Sequence, residues 1–145
     1  RLLDMKNLII ITLLFLLGSG LYAQTPMSVK LYNYCHKQIN KEGDLQTIYS
    51  NGVLIGITDD NSKIFIRYYL KEQATDDDPI DEYKVFKIGR NTKDNTIIYL
   101  CTLINSDDLR VWRFTIYAYD VATLQTNSGQ EQFIFSNSPR QNFLK

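Results

Sequence analysis

The chain has 145 residues, with 16 Lys and Arg against 16 Asp and Glu and a net charge of zero. The signs are interspersed, which leaves no basic footprint for nucleic acid and no polybasic patch for an anionic membrane. One His and two distant Cys also fall short of any usual zinc-ligand spacing.

Residues 1–23 read as an upstream extension of the reading frame followed by a secretory signal peptide. Met5 is followed by Lys6 as a short basic start. Leu8 to Leu17 are apolar apart from Thr12, Gly18 to Gly20 weaken any helix, and Ala23 suits a cleavage site. The apolar run is too short to span a bilayer comfortably. Cleavage after Ala23 leaves 122 residues starting at Gln24, the size of a single domain. The removed residues include Arg1, Asp4 and Lys6, so the net charge becomes −1. The expectation is an exported protein, periplasmic or extracellular, with no stable membrane insertion after cleavage.

Beyond the leader, residues 28–42 fit two templates. "SVKLYNYC" alternates like a strand, while Tyr32, Cys35 and Ile39 share a helical face that Gly43 would end. "LQTIY" (45–49) and "VLIGIT" (53–58) flank Asn51-Gly52, a type I′ hairpin signal because that turn needs positive φ at both central residues. "KIFIRYYL" (63–70) follows "DDNS", and the polar loop "KEQATDDDPIDE" separates it from "YKVFKIG" (83–89). "TIIYLCTLI" (96–104), "LRVWRFTIYAYD" (109–120) and "QFIFS" (132–136) complete the series. Most connections are too short for parallel crossovers. The reading is an all-β antiparallel meander of seven or eight strands, a small barrel or a β-sandwich, with one short N-terminal helix as an option. Eight up-and-down strands of this length resemble a lipocalin-type barrel in plan, although the G-x-W motif near the leader of many lipocalins is absent.

Period 2 sorts each strand into two faces. Ile64, Ile66, Tyr68 and Leu70 share one face, as do Trp112, Phe114, Ile116 and Ala118, and these are the natural core. Phe133 and Phe135 belong with them. The opposite faces carry Arg67 with Tyr69, and Arg113 with Tyr117 and Tyr119. Arg and Tyr are amphipathic and enriched at contacts, so these five residues are the candidate ligand face. The same pairs also stabilise an exposed sheet with no ligand at all.

Catalytic constellations are missing. His36 and Cys35 are strand neighbours that point to opposite faces, and no G-x-S-x-G elbow or phosphate-cradling glycine loop occurs. Asp76, Asp78 and Asp81 are a weak calcium candidate whose spacing does not match an EF-hand. Export makes a Cys35–Cys101 bridge an expectation, worth about 4 kcal/mol for so long a loop; both thiols also read as small buried hydrophobes. The functional expectation is a non-enzymatic β-domain, without cofactor, that binds a small molecule or glycan. The alternative is a secreted interaction module whose partner is an envelope protein.

Overall fold

Six turns of this chain rest on residues that tolerate left-handed backbone. In the computed structural model, which describes residues 27–40 and 42–139, Asn40, Asn61, Asn95, Asn105 and Asp120 have φ between 55° and 64°, and Gly129 has φ 71°. Gly lacks the Cβ that clashes there, and Asn and Asp offset the cost with local hydrogen bonds. Between the turns lie β1 (Met27–Tyr32), β2 (Tyr34–Ile39), β3 (Leu45–Tyr49), β4 (Val53–Thr58) and β5 (Lys63–Tyr68). They are followed by β6 (Ile80–Asn91), β7 (Thr96–Leu103), β8 (Val111–Tyr117), β9 (Val121–Thr126) and β10 (Glu131–Ser136). The domain is all-β. The ten strands form one antiparallel sheet of order β1-β4-β5-β6-β7-β8-β9-β10-β2-β3.

That order contains a circuit. Asn33 alone separates β1 from β2, and Ser50 to Gly52 separate β3 from β4. β1 pairs with β4 from Met27↔Thr58 to Tyr32↔Val53, and β2 pairs with β3 from Cys35↔Tyr49 to Gln38↔Leu45. Residues 27–39 and 45–58 are therefore two long bent strands paired along their length. The β4 half of this hairpin pairs with β5, and the β2 half pairs with β10. Both ends of the sheet belong to one hairpin, so the sheet curls into a half-barrel around a common interior.

Four expectations change here. The segment from 28 contains no helix; it is the bent strand β1–β2. Asn51-Gly52 is not a hairpin turn: Gly52 has φ 116° while Asn51 is not left-handed, and β3 and β4 are not partners because both pair with the same opposing strand. The meander gains a strand, because 109–120 turns at Asp120 and continues as β9. Ala118 and Leu70 leave the core, since each lies beyond the end of its strand and is exposed.

The rest of the alternation holds. Ile64, Ile66, Tyr68, Trp112 and Phe114 are buried in one cluster with Tyr32, Val53, Tyr83, Tyr99, Leu124 and Phe135. Phe114 packs between Tyr99 and Phe135, with ring centroids 6.1 and 6.5 Å away. Cys35 and Cys101 are inside this cluster and both are free thiols. The expected bridge is therefore not in the structure, and its strands, β2 and β7, are separated by β8, β9 and β10 in the sheet. Part of the outer face is buried too, at Thr115, Thr123, Ile134 and His36. His36 Nδ1 lies 2.8 Å from Thr47 Oγ1 and Nε2 lies 3.3 Å from the Ser138 carbonyl, which accounts for the single histidine as a hydrogen-bonded structural group.

Candidate functional site

The structure does not bring the five Arg and Tyr candidates together. Arg67 is opposite Ile80 on β6, whereas Arg113 is opposite Leu100, itself opposite Lys87. Seven residues of β6 span about 23 Å, and two intervening strands add lateral distance. The first pair has a local task. Arg67 Nε and Nη2 donate to Asp78 Oδ2 at 3.2 and 3.1 Å, and Nη2 donates to the Thr75 carbonyl at 2.9 Å. Asp78 also accepts from the Thr75 and Leu70 backbone N–H groups at 2.9 and 3.1 Å. These bonds, led by Thr75, hold the Asp78 carboxyl below its usual range, and Arg67 lies over the Tyr69 ring at 5.5 Å. Together they fasten the loop at 71–79 to β5.

That fastening gives Asp78 a local task and leaves the three calcium candidates apart. Asp78 is buried within its own loop, Asp76 is exposed, and Asp81 is on β6 facing inward beside Ile66. No group of three potential metal ligands occurs among the described residues.

On the second strand, Arg113 is half-buried between Leu100 and Gln125. Tyr117 and Tyr119 have ring centroids 5.4 Å apart. Tyr119 is in the β8–β9 turn, not on a strand face, and is 60% exposed. It lines a depression of about 350 Å³ with Asp120, Val121 and Ser136. It is tied to the feature described next through Asp120, which pairs with Lys30 on that feature's rim.

An apolar cleft of about 280 Å³ opens into the curled interior between β1, β4 and β8. Ser28, Lys30 and Tyr32 point into it from β1, Ile55 and Ile57 from β4, and Phe114 and Ile116 from β8. Its existence follows from the fold. β1 pairs only with β4, so its other edge faces β8 across a gap that side chains fill incompletely. Lys30 bridges the rim through an ion pair with Asp120 and lies over the Tyr32 ring at 5.3 Å. The hydrogen bond to Asp120 holds the Lys30 ammonium above its ordinary value. The cleft thus has an apolar wall and one charged gate. Sequence reasoning missed it. Ser28, Lys30 and Tyr32 were visible as alternate residues, but not the bend at Asn33 that turns them inward.

The opposite end of the interior is polar and aromatic. Arg110 donates to Asp108 and to Glu131 at 2.8 and 3.0 Å, and Lys37 pairs with Glu131 at 2.8 Å. Arg110 lies 4.9 Å over the Trp112 ring, and Lys37 lies 5.2 Å over Phe133. The Arg110 hydrogen bond is the main cause that holds the Asp108 carboxyl down at about 2. Glu131 is lowered chiefly by Lys37. The Trp112 indole N–H is buried without a hydrogen-bond partner.

Comparison with protein-family models, with curated proteins and with solved structures gives no match.

Proposed function

We propose that the protein is an exported, non-enzymatic β-domain that binds a small apolar molecule in the cleft between β1, β4 and β8. The observation that carries the reading is the combination of Ile55, Ile57, Phe114 and Ile116 around one concavity with Lys30 at its rim. Ligand sites are typically apolar concavities with a few fixed polar groups, often at the mouth of a barrel. The circuit through the bent hairpin supports reading the sheet as an eight-stranded up-and-down barrel, with this cleft as its mouth. A volume near 280 Å³ is at the small end of the usual range, which favours a short chain or a single ring. Lys30 can exchange its Asp120 partner for an anionic ligand head because the Asp120 side chain is 70% exposed and stays solvated when released, so an apolar carboxylate is the favoured chemistry.

Calorimetric titration with hexanoate, octanoate and decanoate tests this. Saturable binding by the wild type, at least tenfold weaker in Ile116→Lys at unchanged melting temperature, is the expected result. A folded wild type that binds none of the three, nor an apolar dye, overturns it.

One observation favours a second reading, a protein-interaction module. The free edge strand β1 presents Met27, Val29 and Leu31 outward at 42%, 53% and 53% exposure, and an exposed apolar edge is a template for strand addition. Leu31→Lys would abolish partner capture under that reading and leave carboxylate binding intact.

A further inference from the structure

The balance of charge over the whole chain conceals a local excess on β6. Residues 71–82 carry six acidic side chains and one Lys, whereas residues 83–104 carry Lys84, Lys87, Arg90 and Lys93 against Asp94 alone. Asp94 is turned into its own loop, where it accepts from Asn91 Nδ2 at 3.3 Å and from the Thr96 N–H at 3.1 Å. Arg113 joins the basic set, because Lys87 on β6 and Arg113 on β8 are both opposite Leu100. None of these five cations has an ion pair among the described residues. Lys84 is directly opposite Lys63 on β5, a like-charge pairing that costs stability. Lys63 turns to Glu82 at 3.0 Å, which leaves Lys84 without a counter-charge. The backbone adds access. β6 pairs with β5 only from Ile80 to Lys84, and beyond the irregularity between Val85 and Lys87 it pairs with β7 alone. Phe86, the extra residue at that irregularity, is 56% exposed, and Ile88 is exposed as well.

We infer that this outer part of the β6–β7 hairpin docks on a membrane surface rich in anionic lipid. Lys84, Lys87 and Arg90 follow one another at roughly 10 Å along an extended strand. That is about one Debye length at physiological salt, so they attract a layer of anions together. Clusters of four or more Lys and Arg are the usual device for holding a protein to anionic lipid. Phe86 and Ile88 select a bilayer over a soluble polyanion. Exposed apolar side chains among cations gain by entering the boundary between headgroups and acyl chains. Ile88 offers no ring for a nucleic-acid base to stack on. Lys and Arg also blunt a free strand edge against aggregation, but that task needs no exposed Phe between them. None of these residues lines the apolar cleft, so docking and cleft binding are independent.

Co-sedimentation of the full chain with vesicles tests this, comparing phosphatidylcholine alone with an equal mixture of phosphatidylcholine and phosphatidylglycerol. The apolar run from Leu8 to Leu17 is able to enter either bilayer, so the quantity read is the excess on the anionic vesicles. The expected result is binding at least tenfold tighter to the anionic vesicles. The excess is lost in about 1 M sodium chloride, where the screening length falls to about 3 Å. Lys87→Glu with Arg90→Glu removes it and Phe86→Ser with Ile88→Ser reduces it at least fivefold, whereas Lys71→Glu leaves it unchanged. Brominated phosphatidylglycerol quenches the added emission of Phe86→Trp but not that of Leu109→Trp, an exposed site before β8. Equal binding to both vesicles overturns the inference, as does an excess undiminished by the charge reversals. An excess that survives the loss of Phe86 and Ile88 marks a site for any polyanion and overturns the choice of lipid. The quenching is read with all five cations in place, so it decides the matter even if a double variant does not fold.

Discussion

The sharpest test of the face assignment compares two neighbouring aromatic residues, Phe114 and Tyr119. Phe114 is 1% exposed and packs against Tyr99 and Phe135, whereas Tyr119 is 60% exposed in a turn. Replacing Phe114 with Ala removes a ring from the centre of the interior. Truncations of this kind cost about 3–5 kcal/mol, the transfer term plus the cavity left behind. That is a large part of the roughly 5–15 kcal/mol of a typical domain. At roughly 4 °C per kcal/mol for a domain of this size, the melting temperature falls by about 12–20 °C. Tyr119→Ala removes surface already in water and shifts stability by less than about 0.5 kcal/mol. Urea melts followed by Trp112 fluorescence and by far-ultraviolet dichroism measure both. The position of Phe114 on the cleft wall sets the low end, since water or a ligand entering the cleft limits the cavity term. Equal losses for the two variants would refute the placement of Phe114 in the core and of Tyr119 in an exposed turn.

Three further outcomes follow from the same coordinates. Asp108 and Glu131 have depressed folded values, so the unfolded chain binds their protons more tightly. Their contribution is present above the unfolded values of about 4 to 4.5 and is lost as pH falls toward 2. Melts from pH 2 to 7 therefore decline at the acid end, and Glu131→Gln makes that decline shallower; an unchanged slope argues against the Lys37–Glu131–Arg110 network. Burial pushes the Cys101 thiol up to about 12 and the Cys35 thiol higher, so neither reacts with a thiol reagent at pH 8 until urea is added, when two thiols per chain appear. Loss of both thiols in the unfolded protein would show a bridge instead. Asp78→Ala releases the loop at 71–79 from Arg67 and the Leu70 N–H, and tryptic cleavage after Lys71 accelerates at least tenfold while the sheet's dichroism stays constant; an unaltered cleavage rate removes the clamp as the source of loop order.

What was legible in the sequence depended on range. Period-2 alternation in 63–68 and 111–117 placed Ile64, Ile66, Trp112 and Phe114 correctly, because each strand has one buried face and a single-residue slip would invert it. Turn chemistry was legible where Asn sat between apolar runs. It was misread at Asn51-Gly52, where the dipeptide bends a long strand instead of closing a hairpin. Strand β9 was overlooked because only Asp120 marks its start, and "VATLQT" follows without Gly, Pro or Asn. The cleft and the salt-bridged end were illegible for a different reason. Lys30 and Asp120, or Arg110 and Glu131, meet only once the curled sheet brings remote strands together. No local pattern encodes those distances.

The bent hairpin also explains why the two ends of the interior differ in chemistry. A sheet that closed β1 directly onto β10 would pair every backbone group and fill the mouth between β1 and β8. Here β10 follows the β2 half, and Asn33 N–H donates to Asn137 Oδ1 at 3.1 Å just past the strand's end. The β1 half is left with an unpaired edge and inward Ser28 and Lys30, so the space above Phe114 stays open and apolar. At the other end, β2, β10, β9 and β8 pair without interruption, which brings Lys37, Glu131 and Arg110 within ion-pairing distance over Phe133 and Trp112. Closure there is electrostatic, and the gap at the opposite mouth is apolar. One bend in one strand thus separates a salt-bridged, aromatic end from an open hydrophobic end. Straightening the strand, for instance with Asn33→Val, is the single change expected to disturb both at once.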